Sequence, residues 1–300
     1  MIYKMKKLIT AILFLILSSP LCFSASDFHF SIEPRLSVSY GELNELLYGS
    51  DENLVSQLDW EQKCLFNLGL SAGFSFHNFS VSALFDYSLP LGTSYMTDSD
   101  FNHNGERYSW TEHPIEKNIN INTELALAYE INLYSKFSLI PELQLNYLFS
   151  LFEAGNGNGI RNDNSIRVYG IDYRRHSIFI FTGFSLKSQI TSRLNIKASF
   201  FTAPFIYQNS FDYHHGKKHP FSSNDIQTGC FTKYKMDFSI GLKFNDTLSI
   251  KLFSDMLMSF PDRGILYTDY YGDKMELLTS QQSGASIKYI KAGTSLIINF

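Results

Sequence analysis

The 300-residue sequence lacks the long apolar runs and the basic runs that mark two large classes of protein. After the first 25 residues, no segment reaches the roughly 18 consecutive apolar residues that a membrane-spanning helix needs. Runs of Lys and Arg are missing, and the formal net charge is −4, so nothing indicates nucleic-acid binding. Gly-x-Ser-x-Gly and phosphate-binding Gly-rich motifs are absent too, which argues against a hydrolase of the nucleophile-elbow type or a nucleotide-binding enzyme.

Cysteine is also scarce, with three in the chain. Cys22 falls in the N-terminal segment, which leaves Cys64 and Cys230 in the remainder. These two cysteines would form a disulfide in an oxidising compartment if they lay close together, or they would remain free thiols. Nothing in the sequence decides between the two states.

The N-terminal 25 residues have the composition of a secretory signal peptide. Three lysines, at positions 4, 6 and 7, precede the ten-residue apolar stretch Leu8–Leu17. Small residues at positions 24 and 25 then provide a plausible cleavage site. We therefore predict an exported protein with residues 1–25 removed and residues 26–300 forming one domain.

The dominant pattern in this domain is strict alternation of apolar and polar side chains. In residues 118–132 the odd positions are mostly apolar and the even positions are mostly Asn or Glu. Residues 28–40, 137–149, 194–200 and 235–244 alternate in the same way. Most of these segments reach or exceed ten residues, whereas strands of soluble proteins average about five or six. Alternation of this length, with both charge signs on the polar face, is typical of a barrel that faces lipid outside and water inside.

Short and long connections alternate between these strands. Tight turns are expected at 77–78, 133–136, 191–193 and 245–247, and long polar loops at 49–57, 97–114, 154–167, 211–229 and 261–279. Together they predict an all-β fold, a ten-stranded antiparallel transmembrane β-barrel in a bacterial outer membrane. Short turns of such barrels face the periplasm, so the long loops should be extracellular.

Two short motifs carry residues suited to hydrolysis. Asp98 and Asp100 share one face of an extended segment, as do Asp212 and His214, because side chains two apart point to the same side. On the predicted topology the pairs leave the membrane on the third and seventh strands, nearly opposite one another at the extracellular mouth. An imidazole held by a carboxylate acts as a general base, and an opposing carboxylate can position the water that it activates. The alternative is that these are solvated residues of polar loops.

Several segments, in order along the chain, resemble the omptins, a family of ten-stranded outer-membrane endopeptidases. They are Leu54–Trp60, Met96–Phe101, Trp110-Thr111, His113-Pro114, Asp212–His214, Gly284–Ile287, Ala292-Gly293 and Phe300. By this resemblance Asp98 and Asp100 are the catalytic aspartate pair, and Asp212 and His214 are the Asp–His dyad. The resemblance implies a water activated between the two pairs, with no covalent intermediate, no metal and no cofactor.

The resemblance also implies a substrate pocket that prefers basic residues beside the cleaved bond. Glu45 resembles one of two pocket acids, and Met96 is a further pocket residue. Ser210 stands where the second acid belongs, two residues before Asp212, so we expect weaker discrimination between basic and neutral residues. Omptins also require lipopolysaccharide, and Arg174 resembles one residue that binds it. Residues 144–149, where other contacts would fall, are mostly apolar, so the sequence leaves this requirement open.

Other functions fit the sequence less well. The segment 100–105 resembles the front of a calcium loop, but Thr111 stands where the bidentate acid should be. His214, His215, His219 and Cys230 are too irregularly spaced for a zinc site. A non-catalytic barrel serving as an adhesin or receptor is the alternative function, yet it would not need an imidazole facing carboxylates. We therefore expect an endopeptidase acting on exposed peptides or proteins, in contact with outer-membrane lipids.

Overall fold

The computed structural model describes residues 28–216, 220–269, 276–278 and 282–300. The predicted signal peptide lies outside these residues, as do parts of two predicted loops. In the described part of the chain, no helix is long and apolar enough to cross a membrane.

The regular elements of the described chain are seventeen β-strands. Their bounds are β1 Phe28–Tyr48, β2 Leu54–Phe76, β3 Phe79–Pro90, β4 Tyr95–Phe101, β5 Arg107–Tyr129, β6 Ile131–Tyr134, β7 Phe137–Ala154, β8 Gly157–Arg161, β9 Asn164–Val168, β10 Ile171–Gln189, β11 Leu194–His214, β12 Phe221–Gly229, β13 Lys233–Lys243, β14 Leu248–Ser259, β15 Asp262–Asp269, β16 Glu276–Leu277 and β17 Gln282–Asn299.

These strands close into a single antiparallel ring. β1 pairs with β2 along one edge and with β17 along the other, so the first and last strands meet. Seven pairs of consecutive strands, such as β3 with β4 and β12 with β13, each form a single pass that is interrupted by a bend. Counted in this way, the described strands make ten passes, and the predicted all-β barrel is confirmed.

The two faces of the barrel differ as the alternation predicts. Leu36, Val38 and Tyr40 on β1 are about half exposed on the outer face. The inner face holds charge pairs that link distant strands, including Lys235 with Glu124 at 2.6 Å. A lipid-facing belt can only surround such a polar interior if the backbone ladder is closed, because lipid offers no hydrogen-bond partners.

The predicted short turns are confirmed, but the predicted long loops are wrong in extent. The chain turns at 77–78, 135–136, 191–193 and 245–247. At the opposite end, however, β4 and β5 continue the ladder through most of residues 97–114, and a turn at 102–106 joins them. Asn102 closes this turn, since its Oδ1 accepts the backbone N–H groups of Asn104 and Glu106 at 2.9 and 3.0 Å. Polar residues such as Asp98, Asp100 and Glu112 are frequent in these upper strands, so their sequence resembles that of a loop.

An aromatic stack fills the lumen below this upper end. Trp60 of β2 stacks on Phe152 of β7 and Tyr173 of β10, with ring centroids 5.2 and 5.1 Å away. All three side chains are fully buried. The stack joins opposite walls of the barrel and forms an apolar floor, which we call the aromatic floor.

Both cysteines of the barrel are exposed and unpaired. Cys64 lies in β2 where the β1–β2 register shifts, with a φ of 49°, and Cys230 lies at the bend after β12. The structure therefore corresponds to the free-thiol alternative.

The topology predicts which end of the barrel is accessible from outside the cell. Asn162 and Asp163 form the exposed turn between β8 and β9, at the end with the extended strands. An epitope tag inserted between them should leave a folded barrel that antibodies label on intact cells. A tag in the 245–247 turn, the control at the opposite end, should be labelled only after the outer membrane is broken. The reverse pattern of labelling would overturn the orientation.

Candidate active site

The aspartate pair lies on β4, between β2 and β5 at the upper end of the barrel. Asp98 stands opposite Leu58 and Thr111 in the ladder, and Asp100 stands opposite Ser56 and Ser109. Pairing on both sides holds the β4 backbone extended, so the two carboxylates share the inner face. Both line the groove at the mouth of the barrel.

The Asp–His pair lies at the end of β11. Nε2 of His214 is 2.7 Å from Oδ2 of Asp212, which is almost completely buried. The imidazole also stacks on the ring of Phe221, with centroids 4.1 Å apart and planes 15° from parallel. These two contacts set the orientation of the ring. Nδ1 is then the ring nitrogen left to exchange a proton with a molecule in the groove.

The two pairs face a common groove with a volume of about 480 Å³. Asp98 and Asp100 enter it from the third pass of the barrel, and His214 enters it from the seventh. Closure of the ring therefore brings together side chains more than a hundred residues apart, as the topology predicted.

Burial and charge set the protonation of the aspartate pair. Burial, together with the negative charge of Asp100, raises the pKa of Asp98 to about 6, against the smaller opposing effects of His214 and Arg161. Arg161 of β8 lies 3.6 Å from the carboxylate of Asp100. The site thus keeps one carboxyl close to its protonation midpoint at mildly acidic pH, beside an imidazole. Such a combination can accept and return a proton.

The structure adds a second histidine that the sequence analysis did not propose as a site residue. His113 of β5 lines the groove, with Nδ1 2.9 Å from the carbonyl oxygen of Gly155 and Nε2 3.0 Å from Oγ1 of Thr111. Burial lowers the pKa of His113 and favours the neutral ring. Its presence in the Trp-Thr-x-His-Pro segment was the available signal. Nothing in the sequence marked Arg161 as a groove residue, because only the hairpin of β8 and β9 brings it to the groove.

The proposed pocket residues occupy the layer below the groove. Glu45 and Ser210 are buried on β1 and β11. Met96 is fully buried opposite Trp60 and belongs to the cluster around the aromatic floor. The structure thus brings Glu45 and Ser210 beneath the site but places Met96 in apolar packing, away from the groove lining.

Arg174 lies on the outer face of the barrel. Its guanidinium stands 4.6 Å above the ring of Phe211, and the side chain is exposed. This position is separate from the groove and faces the surroundings of the barrel, where a lipid headgroup would lie.

The omptin family model and the solved structure of OmpT agree with this architecture. The omptin family model matches residues 28–300. The chain is similar in structure to the outer membrane protease OmpT from Escherichia coli, with a TM-score of 0.81 and 14% identity over 94% of this chain and 100% of that one. The translocator domain of the autotransporter NalP from Neisseria meningitidis matches with a TM-score of 0.39 and 9% identity, over 97% and 95% of the two chains. A search of curated protein sequences found no match.

The raised pKa of Asp98 predicts a specific dependence of stability on pH. A carboxyl whose pKa is higher in the folded state stabilises the fold fully below its ordinary pKa and loses that effect as pH rises through about 6. Between pH ~4 and ~8 the wild-type protein should lose on the order of 1–3 kcal/mol more unfolding free energy than Asp98→Asn. Urea titrations in detergent micelles measure this difference, with Ser99→Ala as the control. Identical pH profiles for wild type and Asp98→Asn would contradict the assignment.

Proposed function

This chain belongs to the omptin family, and we propose that it is an outer-membrane endopeptidase that cleaves exposed peptides and proteins with an activated water. The observation that carries the proposal is the convergence of Asp98, Asp100 and the Asp212–His214 pair on one groove. The groove lies at the open end of the barrel, where an extracellular polypeptide has access.

In the proposed reaction His214 acts as the general base. Asp212 holds the imidazole and stabilises its charge when Nδ1 takes a proton from the water. The water oxygen then attacks the carbonyl carbon of the scissile peptide bond, and a tetrahedral intermediate forms. When the C–N bond breaks, the imidazolium returns its proton to the leaving amine. Asp98 and Asp100 orient the attacking water through its O–H groups, and no metal, cofactor or covalent enzyme intermediate takes part.

Specificity is proposed to come from the acidic layer beneath the groove. Glu45 is the acid that we assign to the recognition of a Lys or Arg side chain next to the cleaved bond. Its carboxylate lies two residues below Leu47, which lines the groove, on the same face of β1. We propose lipopolysaccharide as a lipid partner at the outer face, with Arg174 as the contact.

The alternative is a non-catalytic barrel that serves as an adhesin or receptor. It would keep the scaffold and the surface-exposed turns, but it would have no use for a carboxylate-bound imidazole opposite two carboxylates. Cleavage of a fluorogenic peptide library by the refolded barrel, with and without lipopolysaccharide, separates the two functions.

The proposed mechanism predicts which substitutions abolish cleavage. His214→Ala and Asp98→Ala should each lower kcat by about 10²–10⁴-fold, because general-base assistance and water positioning are lost. Both variants should retain the heat-modifiable electrophoretic migration of a folded barrel. Single-turnover and steady-state assays with one fluorogenic peptide provide the measurement.

Matched controls come from the neighbouring positions that point away from the groove. Ser99 and Tyr213 adjoin the site residues in sequence but do not line the groove. Ser99→Ala and Tyr213→Phe should therefore change kcat by less than about threefold. If Ser99→Ala were as damaging as Asp98→Ala, the assignment of faces on β4 would be wrong.

A further inference from the structure

Beneath the groove two buried carboxyl groups lie against each other. Glu45 of β1 and Asp225 of β12 are 8% and 2% exposed, and each carboxyl group is near enough to influence the pKa of the other. Oε2 of Glu45 and Oδ1 of Asp225 have no donor from any other described residue. Two acids therefore share a site that holds them away from water.

The register of the upper strands explains why Asp225 reaches this position. Asp225 stands directly opposite Ser210 in the β11–β12 ladder. Ser223 lies two residues before Asp225 on β12 and lines the groove. Leu47, two residues after Glu45 on β1, also lines the groove. Side chains two apart share a face, so Glu45 and Asp225 form the layer directly below the groove. The acid missing at Ser210 of β11 is thus present on the adjacent strand.

A buried arginine offsets part of this negative charge without binding the acids directly through its terminal nitrogens. Arg175 of β10 stands opposite Ser210 on the other side of β11 and is 1% exposed. Its Nη1 donates to the carbonyl oxygen of Ser286 at 3.1 Å, and its Nη2 donates to that of Asn44 at 2.8 Å. Its Nε is buried without a partner, and the carboxyl oxygens named above likewise have no donor among the described residues.

Further acceptors in the same region are also unsatisfied. Oε1 of Gln208 and Oε1 of Gln227 are buried without a donor from the described residues, and both side chains are 0% exposed. These glutamines are two residues below Ser210 and Asp225 on the same faces of β11 and β12. Buried acceptors without donors are unfavourable, so a layer rich in them is suited to an incoming cationic donor group.

We propose that Asp225 is a specificity-determining residue that, together with Glu45, binds the ammonium or guanidinium group of a Lys or Arg residue beside the cleaved bond. The inference rests on the proposed peptidase function and adds to it a residue on a different strand from the expected one. The preference for basic residues should accordingly be strong, contrary to what Ser210 alone led us to expect from the sequence.

The charges around the pair give the proposal a pH signature. Burial and the nearby carboxylate of Asp212 raise the pKa of Asp225 to about 8, while the neighbouring Glu45 and the charge of Arg175 act in the opposite direction. Burial and the carboxylates of Asp212 and Asp225 raise the pKa of Glu45 as well. The two acids therefore retain a proton near neutral pH, which a cation entering the pocket must displace. Preference for a cationic residue should then increase as pH rises through about 8.

The experiment compares two peptides that differ only in Lys or its uncharged analogue norleucine at the cleaved residue. The readout is the ratio of kcat/KM for the two peptides in wild type, Asp225→Asn, Glu45→Gln and the double variant. Asp225→Asn should lower this ratio at least about tenfold, because a desolvated charge partner is lost. The double variant should lower it by less than the product of the single effects, because the two acids act as a pair.

The control is Glu42→Gln, which removes a carboxylate of the same strand on the outer face, where Glu42 pairs with Lys288 at 2.9 Å. Its ratio should match that of wild type. The wild-type ratio should also rise between pH ~7 and ~9, and this rise should be absent in Asp225→Asn.

The outcomes separate this inference from the proposed function. If wild type cleaves neither these peptides nor any member of a peptide library, the proposed peptidase function fails. If wild type cleaves the peptides and Asp225→Asn leaves the ratio unchanged, the role of Asp225 is overturned and the peptidase function stands. If Asp225→Asn does not fold, the wild-type pH profile decides, and a ratio that does not change between pH ~7 and ~9 overturns the inference.

Discussion

The pairing of β1 with β17 is the interaction on which the rest of the structure depends. It joins Ser31 to Asn299 at one end and Tyr48 to Gln282 at the other, so the first and last strands close the ring along their whole length. In lipid, a free edge would leave a row of backbone groups without partners, each at a cost of several kcal/mol. Closure also fixes which passes oppose one another across the lumen. The aspartate pair on the third pass and the histidine on the seventh consequently meet above a common floor.

The upper end of the barrel is a rigid scaffold made of the same ladder. Side chains on loops depend on packing for their position, whereas Asp98 and Asp212 lie on strands that are paired on both sides. The aromatic floor formed by Trp60, Phe152 and Tyr173 separates this end from the polar lumen below. The result is a buried layer in which burial and neighbouring carboxylates raise the pKa of Glu45 and Asp225.

Electrostatic balance in this layer is achieved by pairing across strands. Arg161 partly compensates Asp100, and Arg175 acts on Glu45 and Asp225. Negative charge still exceeds positive charge beneath the groove. Under the proposed function this excess is the basis for attracting a basic substrate, and the unsatisfied carboxyl oxygens of the acid pair are where it would bind.

The sequence alone was enough to predict the barrel, its apolar and polar faces, and which side chains of the two paired motifs share a face. The alternation of side chains between two faces, clear in residues 118–132, is a local property of extended backbone. The same property puts Asp98 and Asp100 on one face of β4, and Asp212 and His214 on one face of β11. Only the tertiary structure showed the extent of the upper strands, because these segments are rich in polar residues and resemble loops in sequence. The burial of Met96 opposite Trp60, the approach of Arg161 to Asp100 and the contact of Asp225 with Glu45 were likewise decided there. Each depends on the register between strands distant in sequence, which is set by closure of the whole ring and leaves no local pattern in the residues that it joins.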